Sequence, residues 1–571
     1  MLRHIRPWVG FPLANRTRRM VAQYLHQARD ARRMQRETLD RLLALNAESD
    51  FARERRLRPG MSLSEFRRSV PVADFEAFRP YVERMKHGDP SALLGPNNRL
   101  LMFTLSSGTT ADSKFIPITN RFVDDYRRGW SMWGIRAMDD HPALHRLDIV
   151  QLSSDFDQFR TAGGIPCGNI SGLVSAMQSK IVRSMYTVPV EVAKIADPDA
   201  KYYTALRLSI ANPYVGLVMT ANPSTLVHLG KMADRERERL IRDIADGTLA
   251  VQEALPPGVR AAVLRRCRRD PARARELERL VLRHGRLAPQ DFWPRLALVA
   301  VWTGGSAGAY LQGMRRYFGN VPVRDHGLSA SEGRMTIPFA DERSEGVLDV
   351  GTHFFEFIPE EEYGSAQPSV LAAHELQVDR NYYILLTTSS GLYRYDIRDV
   401  VRCCDYHGTS PVLEFLHKGA HISNLTGEKV SESQVVSAVR AAVSRLRLEL
   451  SCFTVSPIWG EPPRYRLHFE AADVPHPGLV RQLVSTVETE LQRLNCEYLE
   501  KRHTGRLGEL QPQPLPDGTW RRFARHRQSR LGGSVEQYKH PCLSPDLKFS
   551  EMLLQHFSRE VSRNDADIAA A

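Results

Sequence analysis

The chain has 571 residues and a mass of 64.7 kDa, which is too long for one hydrophobic core and predicts two or more domains. Its hydrophobic content of 42% and charged content of 25% are typical of a globular protein, and no apolar run reaches the ~18 residues of a membrane span. The seven cysteines show no zinc-type spacing and the N-terminus lacks a signal-peptide pattern, so we expect reduced thiols in the cytoplasm.

The net charge of +12 is compatible with nucleic acid or with anionic small molecules as partners. The positive excess is concentrated in an arginine-rich segment, 260–279, where Leu264, Leu277 and Leu280 recur at near-helical spacing. The segment has no interleaved aromatic residues and matches no nucleic-acid-binding module. We interpret it as the solvated face of a helix, and a nucleic-acid partner is not expected.

The first 300 residues alternate between helical and strand patterns. A helix is predicted over 17–48 with Asn46 as its end, and shorter helices are predicted on either side of Pro71 and before Pro80, each proline acting as a break. The later elements of this part are a strand over 148–152, helices through 221–290 and a strand over 296–302. Buried strands between helices predict an α/β sheet, whose ligands gather at the carboxyl ends of its strands.

The stretch 105–117 places small hydroxyl residues, a glycine and a lysine between two apolar segments. Such a loop can present several backbone N–H groups to one anion, and a helix predicted to begin near Asn120 would favour the anion further. The spacing is not that of the nucleotide P-loop, and a polar surface turn is the alternative interpretation. The residues of this predicted phosphate cradle are Ser106, Ser107, Gly108, Thr109, Thr110 and Lys114.

From residue 354 the pattern changes to strands, with apolar runs at 354–358 and 382–388 and an alternating segment at 391–401. On an ordinary strand, Asp396 or Asp399 of that segment would pair with a neighbouring arginine. The pattern restarts after about residue 417 as a small α+β domain. Its predicted elements are a helix over 435–448, strands over 452–458 and 465–469, and a helix over about 478–494.

The order of these motifs resembles the Gretchen Hagen 3 (auxin-responsive) family of acyl acid amido synthetases, a branch of the adenylate-forming superfamily. The resemblance covers nearly the whole chain. Besides the cradle, it is carried by Phe66-Arg67, Val70-Pro71, Tyr81-Val82, Asn222-Pro223-Ser224, Ser331-Glu332-Gly333, Phe355 to Pro359, Gly391 to Tyr395, Gly427-Glu428-Lys429 and Gln537-Tyr538-Lys539. It implies a large N-terminal adenylate-forming domain (1–416), with α/β sheets and a β-barrel-like part, and a smaller, mobile C-terminal α+β domain (417–571).

The resemblance further implies an ATP-dependent ligase. Such an enzyme adenylates a small carboxylic acid in the presence of Mg²⁺ and then transfers the acyl group to an amine, commonly that of an amino acid. Two alternatives stay open: an acyl–CoA ligase that shares the adenylation half-reaction, and a non-catalytic relative that binds a nucleotide or nucleic acid. We expect a monomer with no membrane partner.

The resemblance also assigns nucleotide-binding roles to single residues. The cradle and Lys114 would hold the phosphates, and Lys539 would neutralise the α-phosphate. Glu332, next to Ser331, would anchor Mg²⁺, since this hard cation favours carboxylate oxygens. Asp399 would accept hydrogen bonds from the ribose hydroxyls. Lys418 stands at the hinge position, where the family more often has arginine.

The acyl pocket is expected between the helix after the cradle and the turn that follows the strand at 296–302. An arginine of that helix would pair with the carboxylate of the acid, although the aromatic residues are equally compatible with a plain core. The residues expected to line the pocket are Tyr126, Arg127, Trp130, Trp302 and Thr303.

Four positions depart from the family pattern. Ala111 stands where a glycine often follows the second threonine, and Leu328 stands where an aromatic residue usually stacks on adenine. Arg398 replaces the glycine before the ribose aspartate, and Cys542 replaces the arginine that commonly follows the lysine-x-proline motif. Each departure leaves the charged groups of the proposed site in place.

Overall fold

The computed structural model describes residues 2–106, 114–419, 422, 423, 425, 426, 428, 430–503, 505–531 and 540–557. The described residues form two compact units. The first comprises 2–304 and 314–416, and the second comprises 305–313, 417–531 and 540–557. The short segment 305–313 thus belongs to the second unit although it lies mid-chain, while the division into domains 1–416 and 417–571 stays a prediction.

Helices account for much of the first 320 residues and recur near the C-terminus. In chain order, the α-helices of the described residues are α1 (Leu2–Gln27), α2 (Ala31–Leu45), α3 (Asp50–Glu54), α4 (Leu63–Ser69), α5 (Phe75–Lys86), α6 (Asn120–Asp140), α7 (Ile170–Ala176), α8 (Lys180–Arg183), α9 (Pro198–Ile210), α10 (Pro223–Arg235), α11 (Arg237–Asp246), α12 (Pro257–Leu264), α13 (Pro271–His284), α14 (Pro289–Phe292), α15 (Leu311–Phe318), α16 (Glu432–Leu446), α17 (Pro477–Leu494), α18 (Cys496–His503), α19 (Thr519–Leu531) and α20 (Phe549–His556). None of them combines the length and apolarity that crossing a membrane requires.

The strands lie between and after these helices. In chain order they are β1 (Leu100–Ser106), β2 (Lys114–Thr119), β3 (Asp148–Gln151), β4 (Phe159–Arg160), β5 (Pro166–Gly168), β6 (Val215–Met219), β7 (Leu298–Ala300), β8 (Val323–Arg324), β9 (Ser329–Ala330), β10 (Gly333–Arg334), β11 (Thr336–Ile337), β12 (Gly346–Leu348), β13 (Phe354–Pro359), β14 (Leu371–Ala372), β15 (Asn381–Thr387), β16 (Tyr395–His407), β17 (Ser410–Lys418), β18 (Ile422–Ser423), β19 (Val430–Ser431), β20 (Phe453–Ile458), β21 (Arg464–Glu470) and β22 (Gln511–Leu515).

A parallel sheet confirms the α/β prediction for the first unit. Its strand order is β3-β6-β7-β8, every neighbouring pair is parallel, and helices connect the strands. Nearly all of the strand residues are buried, which explains their continuous apolar sequences. Because parallel strands share one direction, the segments after β7 and β8 leave the sheet at the same edge.

The strand-rich second part of this unit forms an antiparallel sheet of order β11-β12-β17-β16-β15-β13-β14. The predicted alternating strand at 391–401 begins only at Tyr395, so this prediction is partly wrong. The preceding residues form a turn, because Gly391 adopts φ +80° and a Cβ there would come within 2.5 Å of the Leu93 carbonyl oxygen. This turn reverses the chain between β15 and β16.

Two helix predictions in the N-terminal part require correction. The helix predicted over 17–48 is divided into α1 and α2 by a 3₁₀ turn, Ala28–Asp30, and the Asp30 carboxylate caps α2 by accepting a hydrogen bond from Arg33 N. The predicted end at Asn46 is confirmed. Pro80 lies inside α5 and does not break it, because the buried stripe of Phe75, Phe78, Val82 and Met85 anchors the helix on both sides of the proline.

The arginine-rich segment is divided between two helices. α12 ends at Leu264, α13 begins at Pro271, and the arginines of the turn between them are exposed. Arg273 differs, because its buried guanidinium donates hydrogen bonds to the carbonyl oxygens of Ile210 (3.0 Å) and Phe292 (2.6 Å). The interpretation as one solvated helix face is therefore wrong for Arg273, which has a structural role.

The second unit contains the predicted α+β elements. Helix α16 and helix α17 pack on each other and on an antiparallel pair, β20 and β21, to which β22 adds in parallel. The helix capping box of Ser431 and Gln434 explains why α16 begins where it does. Cys542 is fully buried in this apolar core, and burial raises the pKa of its thiol well above the usual value.

Candidate active site

Polar and aromatic side chains follow two neighbouring strands at the carboxyl edge of the parallel sheet. Trp302 and Thr303 follow β7 after one intervening residue, and Asp325 and His326 come directly after β8. The backbone N–H and hydroxyl of Thr303 both donate to one carboxylate oxygen of Asp325, the hydroxyl at 2.7 Å, and the N–H of Gly327 donates to the other at 2.6 Å. Burial raises the pKa of Asp325, and these donors oppose that rise.

Four ring side chains, here called the aromatic group, gather at this edge: Tyr126, Trp130, Trp302 and His326. The His326 ring lies 5.0 Å from Trp130 and 6.2 Å from Trp302 between centroids, and Tyr126 lies 6.3 Å from Trp130 on the same face of α6. Burial lowers the pKa of His326 to about 3, so the ring is neutral at physiological pH. Three of the four residues were expected in the acyl pocket.

The other two residues expected in the acyl pocket, Thr303 and Arg127, lie in different surroundings. Thr303 lies at the same edge through its bonds to Asp325. The guanidinium of Arg127 instead donates to the carbonyl oxygen of Met177 at 3.4 Å. The next arginine of α6, Arg128, pairs with both oxygens of the Asp349 carboxylate at 3.1 and 3.0 Å.

A cation from another element joins the aromatic group. The guanidinium of Arg334, the last residue of β10, lies 4.4 Å from the centre of the Trp130 ring, and its Nη2 donates to the His326 carbonyl oxygen at 2.6 Å. The residue is only 4% exposed. Burial lowers the pKa of Arg334 to about 10, which still leaves it charged at neutral pH.

Ser331 and Glu332 form the two-residue turn of a short hairpin, in which β9 pairs with β10. Glu332 is buried, and its carboxylate lies near the Tyr395 hydroxyl. Burial, together with the negative charges of Glu332, Asp74 and Asp396, raises the pKa of Tyr395 well above the usual value. This buried carboxylate beside a hydroxyl is a donor set that Mg²⁺ would accept when phosphate oxygens complete its coordination.

Asp399 lies on β16 at an irregularity in the pairing with β15. The preceding residue, Arg398, adopts φ +59°, in the left-handed region that favours glycine. Its side chain forms an ion pair with Asp74 at 3.0 Å, and its N–H donates to Asp396 at 2.7 Å. The backbone at this departure therefore keeps a glycine-like conformation while the arginine side chain is directed to Asp74.

The phosphate cradle lies mostly outside the described residues, namely at 107–113, and Lys539 also lies outside them. The two described ends of the cradle, Ser106 and Lys114, are paired across the antiparallel strands β1 and β2. The predicted helix start at Asn120 is confirmed, with the Thr119 hydroxyl accepting a hydrogen bond from the N–H of Phe122. Lys418 is the last residue of β17 and belongs to the second unit.

Within the described part of the chain, no group of three His, Cys, Asp or Glu side chains is arranged to hold a metal ion. Mg²⁺ commonly binds proteins through one or two carboxylates with phosphate and water oxygens, so a single carboxylate such as Glu332 fits that mode. Leu328, at the position expected to face adenine, packs in the hydrophobic core.

Models of the three GH3 family domains match the chain almost end to end: the N-terminal domain over residues 20–323, the central domain over 346–418 and the C-terminal domain over 433–548. The chain belongs to the GH3 family. This confirms the resemblance found in the sequence and explains why the motifs occur in one order along the chain.

Individual relatives of this GH3 family member are distant but nearly full-length. It is 25% identical over 547 residues to the jasmonoyl–L-amino acid synthetase JAR4 of Nicotiana attenuata, covering 92% of this chain and 93% of that one. It is 23% identical to the indole-3-acetic acid-amido synthetase GH3.10 of Arabidopsis thaliana, covering 91% and 94%. The fold is that of the solved AtGH3.15 acyl acid amido synthetase, with a TM-score of 0.81, 18% identity and coverage of 96% and 98%.

Two residues of the site escaped the sequence interpretation: His326 and Arg334. Neither belongs to a motif that carries the family resemblance, and a single histidine or arginine beside apolar residues is not specific. A signal for Arg334 does exist, because it follows Glu332 by two residues and precedes the buried segment 335–338, where a charged residue is unusual. The aromatic group becomes visible only when α6 and the carboxyl ends of β7 and β8 are brought together.

Proposed function

We propose that this GH3 family member is an ATP-dependent acid–amino acid ligase. It adenylates a small carboxylic acid, releasing pyrophosphate, and then transfers the acyl group to an amine to form an amide and AMP. The observation that carries the proposal is the nearly full-length match, at 23–26% identity, to proteins named as jasmonoyl– and indole-3-acetyl–amino acid synthetases.

The family resemblance assigns the binding of the nucleotide to particular residues. The cradle residues and Lys114 would bind the phosphates, and Asp399 would accept hydrogen bonds from the ribose hydroxyls. Glu332 would hold Mg²⁺, which supplies positive charge to the phosphate oxygens when it is bound. Lys539 and the hinge residue Lys418 are assigned through the family match alone. These assignments, and action as a cytoplasmic monomer, are part of the proposal.

The test is pyrophosphate release with ATP, Mg²⁺ and a panel of carboxylic acids, in the presence and absence of amino acids or coenzyme A. Acid-dependent release that amino acids accelerate is the expected result. Acceleration by coenzyme A instead would identify an acyl–CoA ligase, and absence of both release and ATP binding would favour the non-catalytic alternative. A steep salt dependence of DNA binding would then be the sign of a nucleic-acid partner.

Two variants test the assigned groups. Lys539→Ala should reduce adenylation by orders of magnitude while ATP binding is largely retained, since the lysine stabilises charge that develops in the transition state. Glu332→Ala should abolish Mg²⁺-dependent turnover. Parent-like adenylation rates in either variant would remove that residue from the proposed site.

A further inference from the structure

Arg334 carries a buried positive charge, and most of its guanidinium nitrogens lack a hydrogen-bond partner in the part of the chain that the structure describes. Its Nη2 is bonded to the His326 carbonyl oxygen, but Nε and Nη1 have no hydrogen-bond partner among the described residues. Burying a charged group without such partners is unfavourable, and proteins normally pair or solvate it. An arginine kept in this state indicates a missing anionic partner.

Burial lowers the pKa of Arg334 and the neighbouring carboxylates of Asp349 and Asp325 raise it through space, but neither carboxylate accepts a hydrogen bond from Arg334 Nε or Nη1, and both are bonded to other donors. Asp349 binds Arg128 through both oxygens. Asp325 accepts from Thr303 through one oxygen and from Gly327 through the other. His326 supplies no negative charge, since its ring is neutral. The group that completes the guanidinium therefore has to come from outside the described residues.

The packing around Arg334 holds it in one place. A Cβ on Gly129 of α6 would lie 2.7 Å from Arg334 Cδ and 3.0 Å from its Nε, so the absence of a side chain at this glycine lets the arginine lie against the helix. The Trp130 ring covers the guanidinium on another side. A fixed guanidinium with an unpaired Nη1 donor suits a carboxylate oxygen, and the aromatic group offers an apolar wall for the rest of an acid.

We propose that Arg334 is a substrate-binding residue, whose Nη1 group receives the carboxylate of the acid before adenylation. The proposal rests on the proposed ligase function and gives its acyl pocket a specific cation. It also assigns this role to β10, whereas the sequence had suggested an arginine of α6. The acids selected are those with a planar or apolar body that fits Tyr126, Trp130 and Trp302.

The experiment measures thermal stabilisation of the full-length protein, without ATP or amine, by benzoate, phenylacetate and indole-3-acetate and by their primary amides. The amides have the same shape but no charge. At least one acid should raise the melting temperature well above the effect of its amide, because ligands that bind only the folded state stabilise it. In Arg334→Met the affinity for that acid should fall about tenfold or more, and the preference over the amide should disappear.

The ligand-free proteins provide a second readout. If Arg334 is a structural residue, Arg334→Met should lower the melting temperature of the free protein. If it is held unpaired for a substrate, the same change should leave that temperature unchanged or raise it, since an apolar side chain suits the site better than an uncompensated charge. Arg121→Met, which removes an exposed arginine of α6, controls for the change in net charge.

Two glycine variants keep the charge of Arg334 and test only the space that its side chain occupies beside α6. Gly129→Ala should displace Arg334 and weaken acid binding, while Gly134→Ala, where a Cβ meets nothing within 4 Å, should not. No acid-specific stabilisation in the parent, or its persistence in Arg334→Met, would overturn the inference. Pyrophosphate release by the parent separates the two proposals, since parent-like acid-dependent release by Arg334→Met would overturn the role of Arg334 and leave the ligase function standing.

Discussion

Two buried arginines of the first unit show how differently a fold can treat the same side chain. The Arg394 guanidinium donates to the Glu356 carboxylate at 2.7 Å and to the Val70 carbonyl oxygen at 2.8 Å, and Glu356 also binds Arg67 at 2.7 Å. Arg334 is buried to the same extent but has one hydrogen bond, to a backbone carbonyl. A satisfied charge holds elements together, whereas an unsatisfied one is available to a ligand.

Arg394 and Arg334 also differ in their positions in the fold. Arg394 adopts φ +47° just before β16, and its carboxylate partner lies on β13, so the ion pair links the two strands that flank β15. Arg334 follows Glu332 by two residues and meets rings from α6 and from the carboxyl edge of the parallel sheet. The first arrangement serves stability, and the second lies where the family's chemistry is proposed to occur.

The largest expected effect comes from removing the shared carboxylate. Glu356→Gln should lower the free energy of unfolding by about 3 kcal/mol or more, because it leaves Arg394 buried beside an uncharged amide. Urea unfolding followed by circular dichroism would measure it. The matched control is Glu361→Gln, whose carboxylate is 58% exposed and pairs with Arg380 at 3.2 Å. The control should change stability by less than about 1 kcal/mol, and equal losses in the two variants would contradict the assignment.

Acid should act on the Arg334 region through His326, whose pKa burial lowers from an ordinary value of 6.5 to about 3. The unfolded chain then binds the extra proton below pH 6.5, so the contribution of His326 to stability is fully present above that pH and is lost as the pH falls toward 3. The loss approaches about 1.4 kcal/mol per pH unit below pH 6. Asp125, whose pKa burial raises to about 6, acts in the opposite direction.

The contribution of His326 is isolated by comparing the parent with His326→Gln in urea unfolding at pH 7.5, 6.5 and 5.5. As the pH falls over this range, the unfolding free energy of the parent should decrease more than that of the variant. The difference in slope should approach that expected for one proton bound on unfolding. Parallel pH profiles for the two proteins would show that the imidazole of His326 is already protonated or solvated in the folded state. His353, with a pKa lowered by burial to about 4, offers the same comparison beside Gly333.

The smallest expected effect is that of Arg398→Gly. Glycine removes the strain of φ +59°, which is worth about 1 kcal/mol, but it also removes the partly exposed ion pair with Asp74 and increases the flexibility of the unfolded chain. The net change in unfolding free energy should stay within about 1 kcal/mol. Differential scanning calorimetry would measure it, and a large destabilisation would mean that the Arg398–Asp74 pair supports the bulge around Asp399.

Much of the architecture follows from local sequence. The Asn46 helix end, the capped start of α6 at Asn120, the buried strands of the parallel sheet and the elements of the second unit were all predictable from periodicity, caps and apolar runs. The errors had non-local causes. Pro80 is tolerated inside α5 because buried side chains hold that helix, and Arg273 is buried because two carbonyl oxygens from other elements accept its hydrogen bonds.

The sequence by itself determined the family and the expected chemistry of this protein, because ordered motifs such as Ser331-Glu332 and Gly391 to Tyr395 carry the resemblance and the family models match nearly the whole chain. It also named Tyr126, Trp130 and Trp302 from their neighbourhood in the chain. Only the tertiary structure decided that these rings surround His326 and Arg334 and that Arg334, not Arg127, faces them. The physical reason is that burial and pairing of a charge depend on which distant elements pack against it, and no local pattern encodes that.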